Sequence, residues 1–310
     1  MGTHHSRRGF LGMVGAATVS VACAPGGGDS GGAVTIKHIF GKTTVPGPPQ
    51  RVVSAGLTEQ DDLLAVGVVP IAVTNWFGNQ PLGVWPWAQS DLGNAKPVVL
   101  NLDNGIPVDQ IARLSPDLII AINAGLDSDT YQKLSAIAPT IAQSGGDAFF
   151  EPWRDQAATV GKAVFRTDQM TTLIDGVIAK FAAVGDANPN FKDRRALLLD
   201  GRFSGDIIGA TVDGWRTAFL TAMGFQIPDR SGEITRTELA GVLEGIDVLI
   251  WCTTDDTEQA LLLAEPAIAG LRSRNIFTNL ELAGAIAFAS PLSYPIVAEQ
   301  LPPLLARALT

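Results

Sequence analysis

The residues best able to do chemistry in this chain are tryptophans, arginines and one tyrosine near the ends of predicted strands or in predicted helices. Trp faces stack on planar ligands, and the guanidinium fork of Arg holds carboxylates. In open α/β sheets, ligands lie outside the carboxyl ends of the strands, where most of these residues fall. The predicted ligand-binding residues are Trp76, Trp85, Trp87, Tyr131, Trp153, Arg154, Trp215 and Arg216.

These residues could also serve only to pack or cap the fold. The sequence does not distinguish this structural role from ligand binding. Trp153 stands at a predicted helix start, where a Trp is as often a packing anchor as a ligand platform. Arg154 and Arg216 could be solvated first-turn charges, although a cation there opposes the helix dipole. Trp251 lies inside an apolar run and is predicted to belong to the core.

Motifs for catalysis and for direct metal binding are missing from the sequence. There is no Gly-x-Ser-x-Gly elbow, phosphate loop or dinucleotide fingerprint. The chain has 3 His and 2 Cys, too few for a zinc finger, an iron–sulfur protein or a disulfide scaffold. We therefore expect that this protein is not an enzyme and has no cofactor of its own. Any metal ion that it binds would arrive already held by a chelator. A hydrolase-like α/β enzyme is the alternative from another functional class.

Residues 1–22 are predicted to be an export signal. Arg7 and Arg8 precede an apolar stretch, residues 10–22, that is too short to span a hydrocarbon core of ~30 Å. The arginine pair resembles a twin-arginine signal. Cys23 follows small residues, as in a lipobox, although Ser20 stands where Leu is usual, so cleavage without lipidation is the alternative. Residues 23–33 would then be a flexible tether holding an exported protein to the outer face of the cytoplasmic membrane.

The overall charge narrows the choice of partners. The 310 residues carry a formal net charge of −9, and removing residues 1–22, which contain two Arg and no acidic residue, changes it to −11. Such an acidic chain is a poor binder of nucleic acid or of an anionic membrane surface. We expect membrane attachment through the lipid alone, and a monomer.

Beyond the tether, short apolar runs alternate with longer amphipathic ones, which is typical of α/β proteins. Near-continuous apolar strands indicate sheets covered on both faces and therefore mostly parallel. A helix over residues 167–187 separates an N-terminal lobe, 34–166, from a C-terminal lobe, 188–310. The predicted strands are 51–54, 69–73, 118–121, 140–142, 196–199, 207–209, 248–251 and 276–277.

The chain resembles the substrate-binding proteins of iron–siderophore ABC transporters in residues 51–53 followed by 63–70, and in 116–120, 134–140 and 290–293. The similarity extends over nearly everything from about residue 50. It implies a class III, helical-backbone periplasmic binding protein, with two αβ lobes of mostly parallel sheets, one long rigid connecting helix and a ligand cleft between the lobes.

The resemblance also implies a function. A ferric siderophore would bind in the cleft and be delivered to the permease of an ABC importer, with little lobe closure. In relatives an acidic residue on each lobe docks on permease arginines, and the matching positions are Asp109, which replaces the usual Glu, and Glu238. Both could also be first-turn carboxylates favoured by the helix dipole. Haem is an alternative ligand, with Tyr131 as the candidate axial group, and cobalamin is another.

Overall fold

A computed structural model describes residues 32–146, 149–229 and 232–310. The predictions for Arg7, Arg8 and Cys23 lie outside these residues. From residue 32 onward the described chain forms one compact unit. In that part of the chain, no helix combines the length and the apolar character needed to cross a membrane.

Strands and helices alternate through the described chain. The strands are β1 (Val34–His38), β2 (Gly41–Val45), β3 (Val52–Ser54), β4 (Ala72–Thr74), β5 (Val98–Leu100), β6 (Leu118–Ala121), β7 (Thr140–Ala142), β8 (Ala196–Asp200), β9 (Ile207–Thr211), β10 (Glu233–Thr235), β11 (Val248–Cys252) and β12 (Asn275–Phe277). The helices are α1 (Glu59–Ala65), α2 (Pro86–Leu92), α3 (Val108–Arg113), α4 (Ser128–Ser135), α5 (Trp153–Ala163), α6 (Thr167–Ala187), α7 (Ala218–Ala222), α8 (Arg236–Glu244), α9 (Asp256–Leu263), α10 (Pro266–Ala269), α11 (Leu280–Phe288) and α12 (Tyr294–Ala308).

The first lobe contains a five-stranded sheet in the order β5-β4-β3-β6-β7, and all of its strand pairs are parallel. Every residue of β6 is fully buried, because apolar side chains of successive residues point to opposite faces and helices cover both. Strand β4 begins at Ala72, later than the predicted start at Val69, whose side chain is exposed. Strand β5 and the antiparallel β1–β2 hairpin were not predicted from the sequence.

The second lobe repeats this plan with one difference. Its sheet has the order β10-β9-β8-β11-β12, in which β8, β11 and β12 are parallel whereas β9 and β10 are antiparallel to their neighbours. The two αβ lobes with sheets dominated by parallel strands confirm the predicted fold class.

In each lobe, an aspartate at an equivalent position forms hydrogen bonds between two neighbouring strand segments. Asp117, before β6, accepts hydrogen bonds from the backbone N–H groups of Gln50 and Arg51, both at 2.8 Å. Asp247, before β11, accepts one from the N–H of Arg195, also at 2.8 Å. Each carboxylate thus pairs with the chain that enters the neighbouring central strand. The two lobes therefore use the same hydrogen-bonding arrangement at equivalent places.

Helix α6 and the C-terminal helix α12 connect the lobes. Met170, Ile174, Val177 and Phe181 form the buried face of α6. They belong to one apolar cluster that includes core residues of both sheets and Tyr294 of α12. A continuous core through the connection favours a stiff hinge, because bending it would open close-packed apolar surface.

Candidate ligand-binding cleft

A cleft of about 940 Å³ lies between the lobes. The first lobe contributes the segment that follows β4, and the second contributes the segments that follow β8 and β11. The cleft therefore lies at the carboxyl ends of strands from both sheets, where ligands bind in open α/β folds. Its lining residues are Trp76, Phe77, Gly78, Asp200, Gly201, Arg202, Phe203, Ser204, Cys252, Thr254, Glu258, Leu280 and Ala287.

Trp76 is the predicted aromatic residue that lines this cleft. Its half-buried ring contacts the rings of Phe77, Phe150 and Phe288, with centroids 4.8, 5.1 and 5.6 Å away. The sequence prediction did not include these three phenylalanines. Phe77 was detectable as the neighbour of Trp76 after a predicted strand, whereas Phe150 and Phe288 come from distant segments and carry no local signal.

Arg216 joins the same aromatic group from the second lobe. Its guanidinium carbon lies 4.5 Å from the ring centroid of Phe150 and 4.5 Å from that of Trp215. Because Phe150 contacts Trp76, these contacts form a continuous chain across the lobes. The structure therefore brings together three of the predicted residues, namely Trp76, Trp215 and Arg216.

Trp85 and Trp87 do not line the cleft but lie behind its wall, where the ring of Trp85 meets that of Phe77 at 5.3 Å. Trp85 is 2% exposed, and its ring stacks on that of Trp87 at a centroid distance of 4.8 Å and an interplanar angle of 7°. Gly284 of α11 leaves the space for it, since a Cβ at that position would overlap the indole ring. Trp85 has no free face for a ligand, so its burial does not fit the predicted role.

Trp153 is a packing residue of the core, which was the structural alternative to ligand binding. It is 5% exposed and meets the ring of Tyr294 edge to face at 5.3 Å, within the core cluster that connects the lobes. Arg154 is exposed beside it, with its guanidinium carbon 5.7 Å from the Trp153 ring centroid. Trp251 is fully buried, as predicted, and its indole N–H donates to Asn275 Oδ1 at 2.9 Å.

Tyr131 lies against the β1–β2 hairpin. Its ring stacks on Phe40 at 4.7 Å, and its hydroxyl lies 3.3 Å from His38 Nε2 and 3.4 Å from Thr43 Oγ1. Tyr131 does not line the cleft, so the prediction that it contacts the ligand or supplies a haem axial group does not fit its position. The sequence shows no sign of this hairpin contact, which joins residues about 90 positions apart.

The two acidic residues proposed for docking lie in the first turns of matching helices. Asp109 is exposed in α3, which leads to β6, and Glu238 lies in α8, which leads to β11. The Glu238 carboxylate accepts hydrogen bonds from the backbone N–H of Thr235 at 3.1 Å and from its hydroxyl at 2.6 Å. Glu238 therefore completes a capping box, so helix capping alone accounts for its presence.

A buried carboxylate on α1 connects that helix to the segment between α11 and α12. Asp61 Oδ2 accepts hydrogen bonds from Trp87 Nε1 at 2.8 Å and from Ser290 Oγ at 2.7 Å. Asp61 Oδ1 is also buried and has no protein partner. Burial raises the pKa of Asp61 to about 6, although the two hydrogen bonds oppose the rise. Burial likewise raises the pKa of Glu59 and of Asp62 on the same helix.

Direct metal ligands are scarce in the described part of the chain. No three or more His, Cys, Asp or Glu side chains lie together there in a way that could hold a metal ion. Cys252, at the end of β11, is partly exposed and lines the cleft. Burial of its sulfur raises the pKa of the thiol to about 12, so the thiol is protonated at neutral pH.

Comparison with known families decides the classification. The family described as periplasmic binding protein matches residues 52–242, which is more than half of the chain. The chain belongs to the periplasmic binding protein family. The family predicted from the sequence is therefore confirmed, together with the fold of two lobes and one long connecting helix.

Solved structures of periplasmic binding proteins share this fold over nearly the whole described chain. A periplasmic solute binding protein from Mycobacterium smegmatis is 62% identical, with a TM-score of 0.88 over 90% of this chain and 99% of that one. The iron uptake protein PiaA of Streptococcus pneumoniae in complex with ferrichrome is 24% identical, with a TM-score of 0.73 over 89% of this chain and 98% of that one.

A curated relative matches a shorter part of this periplasmic binding protein. The putative ABC transporter substrate-binding lipoprotein YhfQ of Bacillus subtilis is 27% identical over 219 residues. The match covers 67% of this chain and 64% of the relative. The match thus spans just under two thirds of the relative's length.

Proposed function

We propose that this protein is the substrate-binding component of an ABC importer and that it captures a ferric siderophore in the cleft between its lobes. The observation that carries the proposal is the lining of the cleft, where Trp76 and neighbouring phenylalanines offer aromatic surface next to Arg202 and Arg216. Such a surface suits a bulky organic chelate more than a bare ion, for which the described residues offer no cluster of ligands. The protein would act as a binding protein, without catalysis.

The ligand of one protein with the same fold supports this proposal. The PiaA structure, which has the same fold, was solved with ferrichrome, a ferric siderophore. Haem has less support, because Tyr131, the residue proposed as its axial ligand, packs on the β1–β2 hairpin. Iron would be cargo, held by the siderophore throughout.

Tryptophan fluorescence tests the capture step. We expect ferric siderophores to quench the emission saturably, because Trp76 lines the cleft. Trp76→Ala should weaken binding about 10-fold, given ~1.5 kcal/mol for a lost aromatic contact. Trp85→Phe is the matched control and should weaken binding much less, since Trp85 is buried behind Phe77 and does not itself line the cleft. A folded protein that responds to no ferric chelate would overturn the proposal.

Delivery to a permease is tested in cells. We propose that Asp109 and Glu238, at equivalent places on the two lobes, dock on permease cations. Asp109→Arg combined with Glu238→Arg should abolish uptake while ligand binding by the purified protein persists. Asp109→Asn with Glu238→Gln should reduce uptake less, because Gln can keep the hydrogen bonds to Thr235. Normal uptake by the Arg variant would exclude this docking mode.

We further propose that Arg7 and Arg8 direct export and that Cys23 carries a lipid anchor. Cys23→Ala should then release the exported protein from the membrane fraction. Mass spectrometry of the protein from its own cells should show an acylated N-terminal cysteine at position 23. An N-terminus at another residue, with no lipid, would favour simple signal cleavage.

A further inference from the structure

Strand β12 is an edge strand of the second sheet, and the matching edge of the first sheet shows how such a strand is covered. In the orders β5-β4-β3-β6-β7 and β10-β9-β8-β11-β12, strands β7 and β12 hold the same place. The β1–β2 hairpin covers β7, where the Thr43 hydroxyl donates to Thr140 O at 2.7 Å. Just beyond that strand, the Ile39 N–H donates to Gln143 O at 2.9 Å. The edge of the first sheet therefore has partners within the chain.

Strand β12 has no such cover. Among the described residues, it pairs with β11 alone. The N–H of Thr278, the residue after β12, donates to Trp251 O of β11 at 3.0 Å. Because the N–H groups of successive strand residues point to opposite sides within the sheet, the N–H of Phe277 points away from β11. An open edge of this kind is a template for a further strand.

A cavity of about 480 Å³ lies along this edge. All of β12 lines it, together with residues of α9, of α12 and of the turn before β12. Leu263 of α9 and Leu304 of α12 give the cavity apolar surface. None of its lining residues lines the ligand cleft, so the cavity is a separate surface of the second lobe.

Two arginines give this cavity a positive charge. Arg272, just before β12, and Arg307, near the end of α12, both line it and are exposed. Within the described residues neither takes part in an ion pair, and no carboxylate side chain lines the cavity. Arg274, by contrast, donates to Glu244 O at 3.0 Å and holds the chain before β12 in place. Arg272 and Arg307 are therefore available to an anionic partner.

We propose that the edge of β12 is a docking site for an extended acidic segment of a partner polypeptide, which adds to the sheet as a further strand. Its backbone pairs with the outward-facing groups of β12, as in other cases of strand addition. Its carboxylates meet Arg272 and Arg307, and its apolar side chains lie against Leu263 and Leu304. Docking there is independent of what the cleft binds.

Charge selects this occupant over the others that an open edge accepts. A basic segment would be repelled by the two arginines. A second copy of this chain, paired through the same edge, would bring the same arginines to both sides of the interface. An acidic segment is the occupant that neutralises them.

Binding of synthetic peptides to the full chain, measured by fluorescence anisotropy, tests the site. The probe is a labelled peptide of about six residues, the usual length of a strand, in which Val alternates with Glu. We expect saturable binding. The same peptide with Lys in place of Glu should bind at least about 10-fold more weakly, because its charge is reversed. The acidic peptide with every backbone nitrogen methylated should also bind more weakly, since it keeps the carboxylates but has no N–H to donate.

Variants of the two arginines test the charge. Arg272→Gln and Arg307→Gln should each weaken binding of the acidic peptide about 2- to 5-fold, the range for an exposed ion pair, and the double variant should weaken it more. Arg113→Gln, at an exposed arginine of α3, is the matched control and should leave the affinity unchanged. All three positions are exposed, so the variants should keep the fold.

Hydrogen exchange locates the bound peptide. The acidic peptide should slow exchange of the Phe277 amide, which points outward from the sheet. The Thr278 amide is the internal control and should change less, because it already donates to Trp251 O.

The outcomes decide between the occupants. Saturable binding of the acidic peptide that slows exchange at Phe277, and that the double arginine variant weakens, would support the proposal. Absence of saturable binding, or equal binding of the acidic and basic peptides, would refute it. Equal binding of the methylated peptide would show a charge contact alone and refute strand addition. A peptide-free dimer that protects Phe277 would assign the edge to a second copy and overturn the proposal.

Discussion

The buried carboxylate of Asp61 predicts that this protein is more stable in mild acid than at neutral pH. Asp61 is fully buried, and its side-chain hydrogen-bond donors are the uncharged groups of Trp87 and Ser290. Ionisation places a charge in the core with no cation to balance it, and Asp91 adds a repulsive charge. The charged form is therefore disfavoured in the folded state but not in the unfolded chain.

The magnitude follows from the pKa. Burial raises the pKa of Asp61 from 3.8 to about 6. In the folded state the carboxyl thus holds its proton more tightly, so the resulting stabilisation is complete below the unfolded pKa and disappears as the pH rises through about 6. The full effect is about 3 kcal/mol, at about 1.36 kcal/mol per pK unit. Between about pH 8 and about pH 5 the linkage relation gives about 1.4 kcal/mol of added stability.

Urea unfolding of the unaltered protein and of Asp61→Asn across this pH range measures the effect. Asn keeps an oxygen that can accept from Trp87 and Ser290 but does not titrate, so the variant should lack this part of the pH dependence. Asp62 and Glu59 contribute with the same sign, and His38, whose pKa burial lowers, contributes with the opposite sign. The contributions of Glu59 and His38 cancel when the variant is compared with the unaltered protein. Part of the Asp62 contribution does not cancel, because the charge of Asp61 raises the pKa of Asp62, and it adds to the difference in the same direction.

The matched control is Asp186→Asn, at an exposed carboxylate near the end of α6, which should leave the pH dependence unchanged. Equal pH slopes for the unaltered protein and Asp61→Asn would refute the reasoning. So would an increase in the stability of the unaltered protein, relative to Asp61→Asn, as the pH rises from about 5 to about 8.

Three further predictions concern packing and capping, and each is measured by chemical denaturation. Gly284→Ala should lower the free energy of unfolding by ~1–3 kcal/mol, because the added Cβ would overlap the Trp85 ring. Its control, Gly241→Ala, adds a Cβ in open space on α8 and should raise the free energy of unfolding by ~0.5–1 kcal/mol. Equal effects of the two substitutions would contradict the packing seen at Gly284. Tyr131→Phe should cost ~1 kcal/mol and leave siderophore binding unchanged, since its hydroxyl faces the β1–β2 hairpin; loss of binding would show a role in the cleft. Thr235→Ala should cost ~1 kcal/mol through loss of the capping box, and no change would mean that the cap is not required for α8.

The regular elements were largely predictable because their signals are local. Helix α6 has the predicted bounds, 167–187, and β6 and β7 match the predicted strands at 118–121 and 140–142. The β1–β2 hairpin was missed because its polar, threonine-rich strands have only alternate residues buried and stand directly after the Gly-rich segment. Strand β10 was also missed: it is as short as β7, but only its central residue, Ile234, is apolar and buried, so it lacks the apolar run that marks β7.

The lining of the cleft was predictable only in part. Trp76 and Trp85 both follow β4 in a segment rich in Gly and Pro, and nothing local distinguishes them. Trp76 faces the cleft, whereas Trp85 fills the space above Gly284, a residue about 200 positions later in the chain. The partners of the arginines are equally remote, since Arg216 lies over Phe150 of the other lobe.

The order of the amino acids determined the family, the doubled αβ plan and the absence of recognisable catalytic motifs, because each depends on residue types and on spacings within one segment. The tertiary structure decided which side chains meet. It buried Trp85, placed Tyr131 on the hairpin, and joined Asp61 to Ser290 across 229 positions of the chain. Burial, pKa and access to a ligand depend on neighbours supplied by distant segments, and these neighbours come together when the lobes pack around α6 and α12.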